Sequence, residues 1–167
     1  MMRFITILLS LLLGAVPSAI AGSMSETLMV SGAYVRALPP TSEVTSGYLL
    51  IANHGDQDVE ITGAASSIAK AVEFHQVETK EGMMKMSRMD KVVVQAHGSL
   101  EFAPGGKHLM FLGLKRPLKD GETLTIELEL ADQSKLIVDA EVRDIRQKRQ
   151  HENQEHEGDH EQGHHGH

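Results

Sequence analysis

The chain has 167 residues, a formal net charge of −7 at pH 7 and no cysteine. The acidic balance argues against a nucleic-acid-binding protein, because binding to phosphate groups needs a basic surface. The lack of cysteine excludes disulfide bonds, thiolate metal ligands and a cysteine nucleophile. The fold must therefore depend on a hydrophobic core, and a compact chain of about 120 residues is long enough to form one as a single domain.

The first 21 residues have the pattern of a secretion signal. Arg3 is followed by the apolar run Phe4–Val16 and then by Pro17-Ser18-Ala19-Ile20-Ala21. A basic start, a short apolar stretch and an A-x-A cleavage site are typical of a Sec signal peptide, and the run is too short to anchor the chain stably in a bilayer. We expect a cleaved signal peptide at 1–21, export to the periplasm, no lipid anchor and no stable membrane insertion afterwards. An uncleaved N-terminal anchor is the alternative.

Residues 22–142 are predicted to form one domain of short β-strands. Apolar and polar residues alternate over 123–130 and over 136–142, which is the period of a strand with one buried face. Turn signals separate shorter runs before them, and no long helical pattern occurs. The sequence therefore predicts an all-β antiparallel sandwich or barrel. The other predicted strands are Met29–Ala37, Ser46–Asn53, Val59–Ala65, Ala71–Val77, Met84–Met89, Val92–Gln95, Leu100–Phe102 and His108–Leu112.

Most methionines of this domain lie in its second half, and one of them is close to a histidine. Four methionines lie within seven residues, at Met83, Met84, Met86 and Met89. Met110 follows His108 by two residues, which puts both side chains on one face of a strand. Thioether is a soft ligand and imidazole a borderline one, so their mixture favours Cu(I) over Mg²⁺, Ca²⁺ or Zn²⁺. Blue-copper electron transfer would need a cysteine thiolate. On these residues alone, core packing by methionine remains the alternative.

The spacing of four residues resembles the motif of the PCuAC family of periplasmic copper chaperones. His75 is followed by ten residues and Met86, and then by twenty-one residues and His108-Leu109-Met110. The resemblance extends over about residues 28–131 and is specific, because four positions match without a gap. It implies a cupredoxin-like Greek-key β-sandwich or barrel in which His75, Met86, His108 and Met110 bind one Cu(I).

Two further methionines lie close to this motif. The resemblance leaves open whether Met84 or Met89 assists in copper binding. Methionine fills irregular gaps in hydrophobic cores, so we expect both side chains to serve in packing.

Residues 143–167 differ in character from the rest of the chain. No apolar residue follows Ile145, so the segment is predicted to be a mobile tail. Imidazole and carboxylate are harder ligands than thioether, and we expect the tail to form a secondary Cu(II) site. A purification tag and a merely soluble acidic tail are the alternatives. The candidate ligands are His151, His156, His160, His164, His165 and His167.

Together with the resemblance, these features predict a periplasmic copper chaperone without enzymatic activity. The folded site would hold Cu(I) in an exposed position and release it by ligand exchange, while the tail would capture Cu(II). The resemblance implies a cytochrome c oxidase subunit or a Sco-type thiol protein as recipient. The main alternative is a periplasmic copper storage or detoxification protein. A copper oxidase or monooxygenase is disfavoured because the mature chain would begin at Gly22 rather than a histidine, and a β-sandwich interaction module is the last alternative.

Overall fold

The computed structural model describes residues 23–80 and 82–145. The predicted signal peptide and the six tail histidines lie outside the described residues. Within the described ranges, no helix is long and apolar enough to cross a membrane. A 3-10 helix at Met24–Thr27 is followed by the strands β1 (Leu28–Arg36), β2 (Val44–Asn53), β3 (Val59–Ala65), β4 (Ala71–Lys80), β5 (Met83–Met89), β6 (Val92–Val94), β7 (Ser99–Phe102), β8 (Lys107–Leu112), β9 (Thr123–Leu130) and β10 (Lys135–Arg143).

The strands form one sheet that closes on itself. Neighbouring strands follow the order β5-β4-β8-β2-β1-β10-β9-β3-β6, and β7 pairs with the second half of β2. β3 also pairs with β4 through Ala64 and Val72, so the path returns to β4 and closes a barrel. Among the described pairings only β1 with β10 is parallel. The chain therefore has the all-β, cupredoxin-like barrel that its sequence predicts, and each predicted strand is present.

The core is built from every second residue of the strands, whose side chains point into the barrel. On β9, Ile126, Leu128 and Leu130 are almost completely buried, while the residues between them face outward. Val138 and Ala140 on β10 continue the same inner face. Removing a large aliphatic side chain of this kind from water contributes about 1.5–3 kcal/mol. Because the chain has no disulfide bond, this burial stabilises the barrel that carries the site.

The last strand extends one residue past the predicted domain boundary. Arg143, which was predicted to be the first residue of the tail, is the final residue of β10. Its carbonyl oxygen accepts a hydrogen bond of 2.9 Å from the N–H of Ala37, and its guanidinium group lies 5.0 Å from the centre of the Tyr34 ring. A charged residue can end a strand in this way because its backbone pairs while its side chain stays at the surface.

Candidate metal centre

Strand alternation directs three candidate ligands to the outer face of the barrel. Phe74 on β4 and Leu109 on β8 are buried in the core, so their neighbours His75, His108 and Met110 lie on the other face of these strands. His75 pairs directly with His108 across β4 and β8. The centroids of the two imidazole rings are 5.8 Å apart, and the ring planes are inclined by 37°.

The two methionines of the motif flank this histidine pair. Met86 on β5 pairs with Val77, and Met110 pairs with Glu73, so each methionine is a diagonal neighbour of His75 on the same face. The structure thus brings all four predicted ligands to one face of three adjacent strands. Met86 and Met110 lie on opposite sides of His75 along β4, however. On a flat sheet their Cα atoms would lie roughly 16 Å apart, so both thioethers reach one ion only if β5 curls over β4.

Burial divides the four residues into an inner and an outer group. His108 is 5% exposed, the side chain of His75 is 14% exposed, and Met110 is half-buried. Met86 is 51% exposed. The exposed site expected from the sequence is therefore only partly exposed. The reason is that β4 and β8 are flanked by strands on both sides, whereas β5 lies at the edge of the sheet.

Each imidazole has one ring nitrogen in contact with a hydrogen-bond acceptor. Nε2 of His75 lies 2.8 Å from Oε2 of Glu73, and Nδ1 of His108 lies 3.3 Å from the carbonyl oxygen of Gly106. Nδ1 of His75 is buried and has no hydrogen-bond partner among the described residues. A buried polar atom without a partner is costly. This nitrogen is therefore suited to receive a ligand such as a metal ion.

Glu73 was missed in the sequence analysis. The sequence pattern that could have indicated Glu73 is its spacing of two residues from His75, which puts both side chains on one face of a strand. The second carboxylate oxygen of Glu73, Oε1, lies 3.0 Å from Nη1 of Arg88, which pairs with His75 on the other side. The carboxylate thus connects the histidine to the edge strand that carries Met86.

Two tyrosines extend the row of rings on the far side of His108. The centroids of Tyr48 and His108 are 6.5 Å apart, and those of Tyr34 and Tyr48 are 5.1 Å apart. Burial raises the pKa of Tyr34, and the neighbouring Tyr48 raises this pKa further. Tyr48 is 6% exposed. The ring of Tyr48 therefore lies beside His108 on the side away from His75, and the ring of Tyr34 lies beyond it.

The other methionines of β5 have different environments. Met89 is partly buried against the core, which agrees with its expected packing role. Met84 is 73% exposed, so the expectation of packing is wrong for this residue. As part of an edge strand, Met84 has no further strand beside it to pack against. Met83, on the opposite face of β5, is also exposed.

Within residues 23–80 and 82–145, carboxylates and histidines do not form a metal site of their own. Among the residues that the structure describes, no group of three or more His, Asp or Glu side chains is arranged to hold a metal ion. The predicted Cu(II) ligands of the tail lie outside these residues.

Comparisons with known protein sequences give one family. The sequence model described as "Putative lipoprotein LpqE-like" matches residues 28–142. The "Putative lipoprotein Lxx21020" of Leifsonia xyli subsp. xyli is 32% identical over 125 residues, which cover 74% of each chain.

Solved structures share the fold. Apo-DR1885 from Deinococcus radiodurans is 32% identical, with a TM-score of 0.57, over 86% of this chain and 97% of that one. CuI-DR1885 from the same organism is 36% identical, with a TM-score of 0.56, over 68% and 76% of the two chains. The copper-bound PCuAC domain from PmoF2 has a TM-score of 0.60 over 71% and 93% of the chains, and its identity of 19% makes this a likeness of fold alone.

Proposed function

The chain belongs to the LpqE-like family, and from this premise we propose that it is a periplasmic copper chaperone that binds one Cu(I) through His75, Met86, His108 and Met110. The family is one of lipoproteins, which supports an extracytoplasmic location. This chain has no cysteine to carry a lipid, so we propose a cleaved signal peptide and a free mature protein. The similar protein from Deinococcus radiodurans is described with CuI bound, which supports copper as the cargo.

The direct pairing of His75 with His108 is the observation that carries this proposal. With metal–imidazole bonds of about 2.0 Å, two rings that point at one ion have centroids at most roughly 6.3 Å apart. The two centroids are 5.8 Å apart, which suits two imidazoles at a wide angle about a single ion. The remaining positions around the ion would face Met110 and the edge strand.

The thioethers account for the selectivity of the proposed site. Thioether sulfur is soft and carries no charge, so Met86 and Met110 favour Cu(I) over the harder divalent ions. Sulfur also does not compete for protons, whereas both imidazoles must be neutral to bind. A site of this composition holds Cu(I) without a thiolate and therefore without the ligand that blue-copper electron transfer uses.

The difference in burial suggests how the ion would leave. Met86 is exposed on an edge strand, while His108 is buried. An incoming sulfur ligand of a recipient would displace Met86 first, and the imidazoles would release the ion last. On the family resemblance, we propose the copper centre of a cytochrome c oxidase subunit or a Sco-type thiol protein as the recipient.

The histidine-rich tail supports a second candidate function. Its six histidines and intervening carboxylates are suited to Cu(II). In a chaperone, the tail would capture Cu(II), and a reductant from outside the chain would supply the electron. In a storage or detoxification protein, the tail would hold several ions and no delivery would follow.

The chaperone proposal is tested by titration and transfer. The mature chain is titrated anaerobically with Cu(I) against a competing chelator, beside a variant with the six tail histidines replaced by asparagine. We expect one tightly bound Cu(I) in both proteins, fewer bound Cu(II) ions in the variant, and transfer of Cu(I) to an apo oxidase domain. Binding of several ions without transfer would favour storage. Failure to compete for Cu(I) would contradict the chaperone function, and failure to bind Cu(II) as well would contradict storage.

A further inference from the structure

A chain of polar contacts joins Arg88, Glu73 and His75. Oε2 of Glu73 lies 2.8 Å from Nε2 of His75, and Oε1 lies 3.0 Å from Nη1 of Arg88. The side chains of Glu73 and His75 are 20% and 14% exposed, whereas that of Arg88 is 62% exposed. Both oxygens of the Glu73 carboxylate thus have a partner, and the side chains of Glu73 and His75 are largely shielded from solvent.

This contact determines which nitrogen of His75 carries the hydrogen. An ionised carboxylate only accepts hydrogen bonds, so Nε2 must donate, and in a neutral imidazole the lone pair then lies on Nδ1. Nδ1 of His75 is the buried atom that has no partner among the described residues. In His108 the carbonyl oxygen of Gly106 faces Nδ1 instead, so there the lone pair lies on Nε2.

We propose that Glu73 is a positioning residue that makes His75 bind Cu(I) through Nδ1, whereas His108 binds through Nε2. This inference rests on the proposed function and adds a residue outside the four-ligand motif. A carboxylate or carbonyl on the far nitrogen of a metal-bound imidazole fixes the tautomer and the ring orientation and makes the ligand more basic. Arg88 holds the carboxylate in place from the strand that also carries Met86.

Two other roles of Glu73 make different predictions. As a direct ligand, its oxygen would be a hard donor that suits Cu(I) poorly. As one half of a cross-strand ion pair with Arg88, it would affect stability alone. Neither role makes the affinity for Cu(I) depend on the tautomer that the contact with Glu73 imposes on His75.

The experiment uses the full mature chain and two measurements. Nitrogen NMR of the histidine side chains, before and after one equivalent of Cu(I), reports the tautomers and the coordinating atoms. We expect His75 to be protonated on Nε2 without copper, with Cu(I) shifting Nδ1 of His75 and Nε2 of His108. Competition titration of Glu73→Gln should show Cu(I) binding weakened by about 10–100-fold. The control is Glu60→Gln, which removes the same charge from a carboxylate that contacts Lys91 at 2.7 Å away from the site and should leave Cu(I) affinity unchanged.

The outcomes separate this inference from the proposed function. Parental affinity in Glu73→Gln, or a Cu(I)-induced shift at Nε2 of His75, would overturn the positioning role while leaving the chaperone proposal intact. If the parent itself binds no Cu(I), both proposals fail. Should Glu73→Gln not fold, the tautomer and the shifted nitrogen in the parent still decide the question.

Discussion

His75 and His108 face each other across β4 and β8, with ring centroids 5.8 Å apart, although 32 residues lie between them in the sequence. This pairing follows from the antiparallel register of the two strands. It places two imidazoles in a partly buried position beside an exposed edge strand, and the predictions for copper binding follow from it.

Each histidine of the pair is expected to be essential for Cu(I) binding. His75→Ala and His108→Ala should each weaken Cu(I) binding by more than about 100-fold. The reason is that losing a ligand costs more affinity than losing a residue that only hydrogen-bonds a ligand. Competition titration measures this change. The matched control is His54→Ala, since His54 lies exposed in the loop after β2 and should leave the affinity unchanged. Parental affinity in either histidine variant would show that the ion binds elsewhere.

Met86 is expected to bind the ion through a movement of the edge strand β5. Met86→Leu should weaken Cu(I) binding and speed the release of Cu(I) to a recipient. The reason is that the exposed thioether of Met86 is the last ligand to bind the ion and the first to leave it. Backbone NMR should show copper-induced shifts concentrated in β5. Met83→Leu is the control, since Met83 is 69% exposed on the opposite face of the same strand. Equal effects of the two substitutions would contradict the assignment of Met86.

Gly47 is expected to be required for the packing beneath the site. Gly47 on β2 pairs with Leu109, and a Cβ atom added there would lie 2.8 Å from Cε2 of the fully buried Phe111. Gly47→Ala should lower the free energy of unfolding by about 1–3 kcal/mol through overpacking. Urea denaturation of the copper-free protein measures this loss. Gly106→Ala should be much milder, because its added Cβ would meet only an ordinary contact at 3.6 Å.

Tyr34 is expected to make stability depend on alkaline pH. Burial raises the pKa of Tyr34 above 10.0, its ordinary value, so the folded state favours the neutral phenol. This contribution to the free energy of unfolding is fully present below pH 10.0 and is lost as the pH rises through the folded-state pKa. Thermal unfolding between about pH 9 and 11.5 should show a smaller alkaline loss of stability in Tyr34→Phe than in the parent. Identical pH profiles would show that Tyr34 does not contribute.

The sequence by itself predicted the fold class and the strands. Alternation over β9 and β10 places Leu128 and Val138 inside and their neighbours outside, and such a pattern needs only local chemistry because side chains of a strand alternate strictly. The same rule placed His108 and Met110 together on one face. The spacing of the four ligand positions then gave the resemblance to copper chaperones.

The tertiary structure decided what depends on pairing between distant segments. Register set His75 directly opposite His108, and it brought Glu73 to the His75 ring and Arg88 to the carboxylate of Glu73. The order of strands made β5 an edge, which left Met84 exposed against expectation and set Met86 apart from the buried imidazoles. Alternation within a strand fixes a face, but only hydrogen bonding between strands fixes which side chains on that face are neighbours.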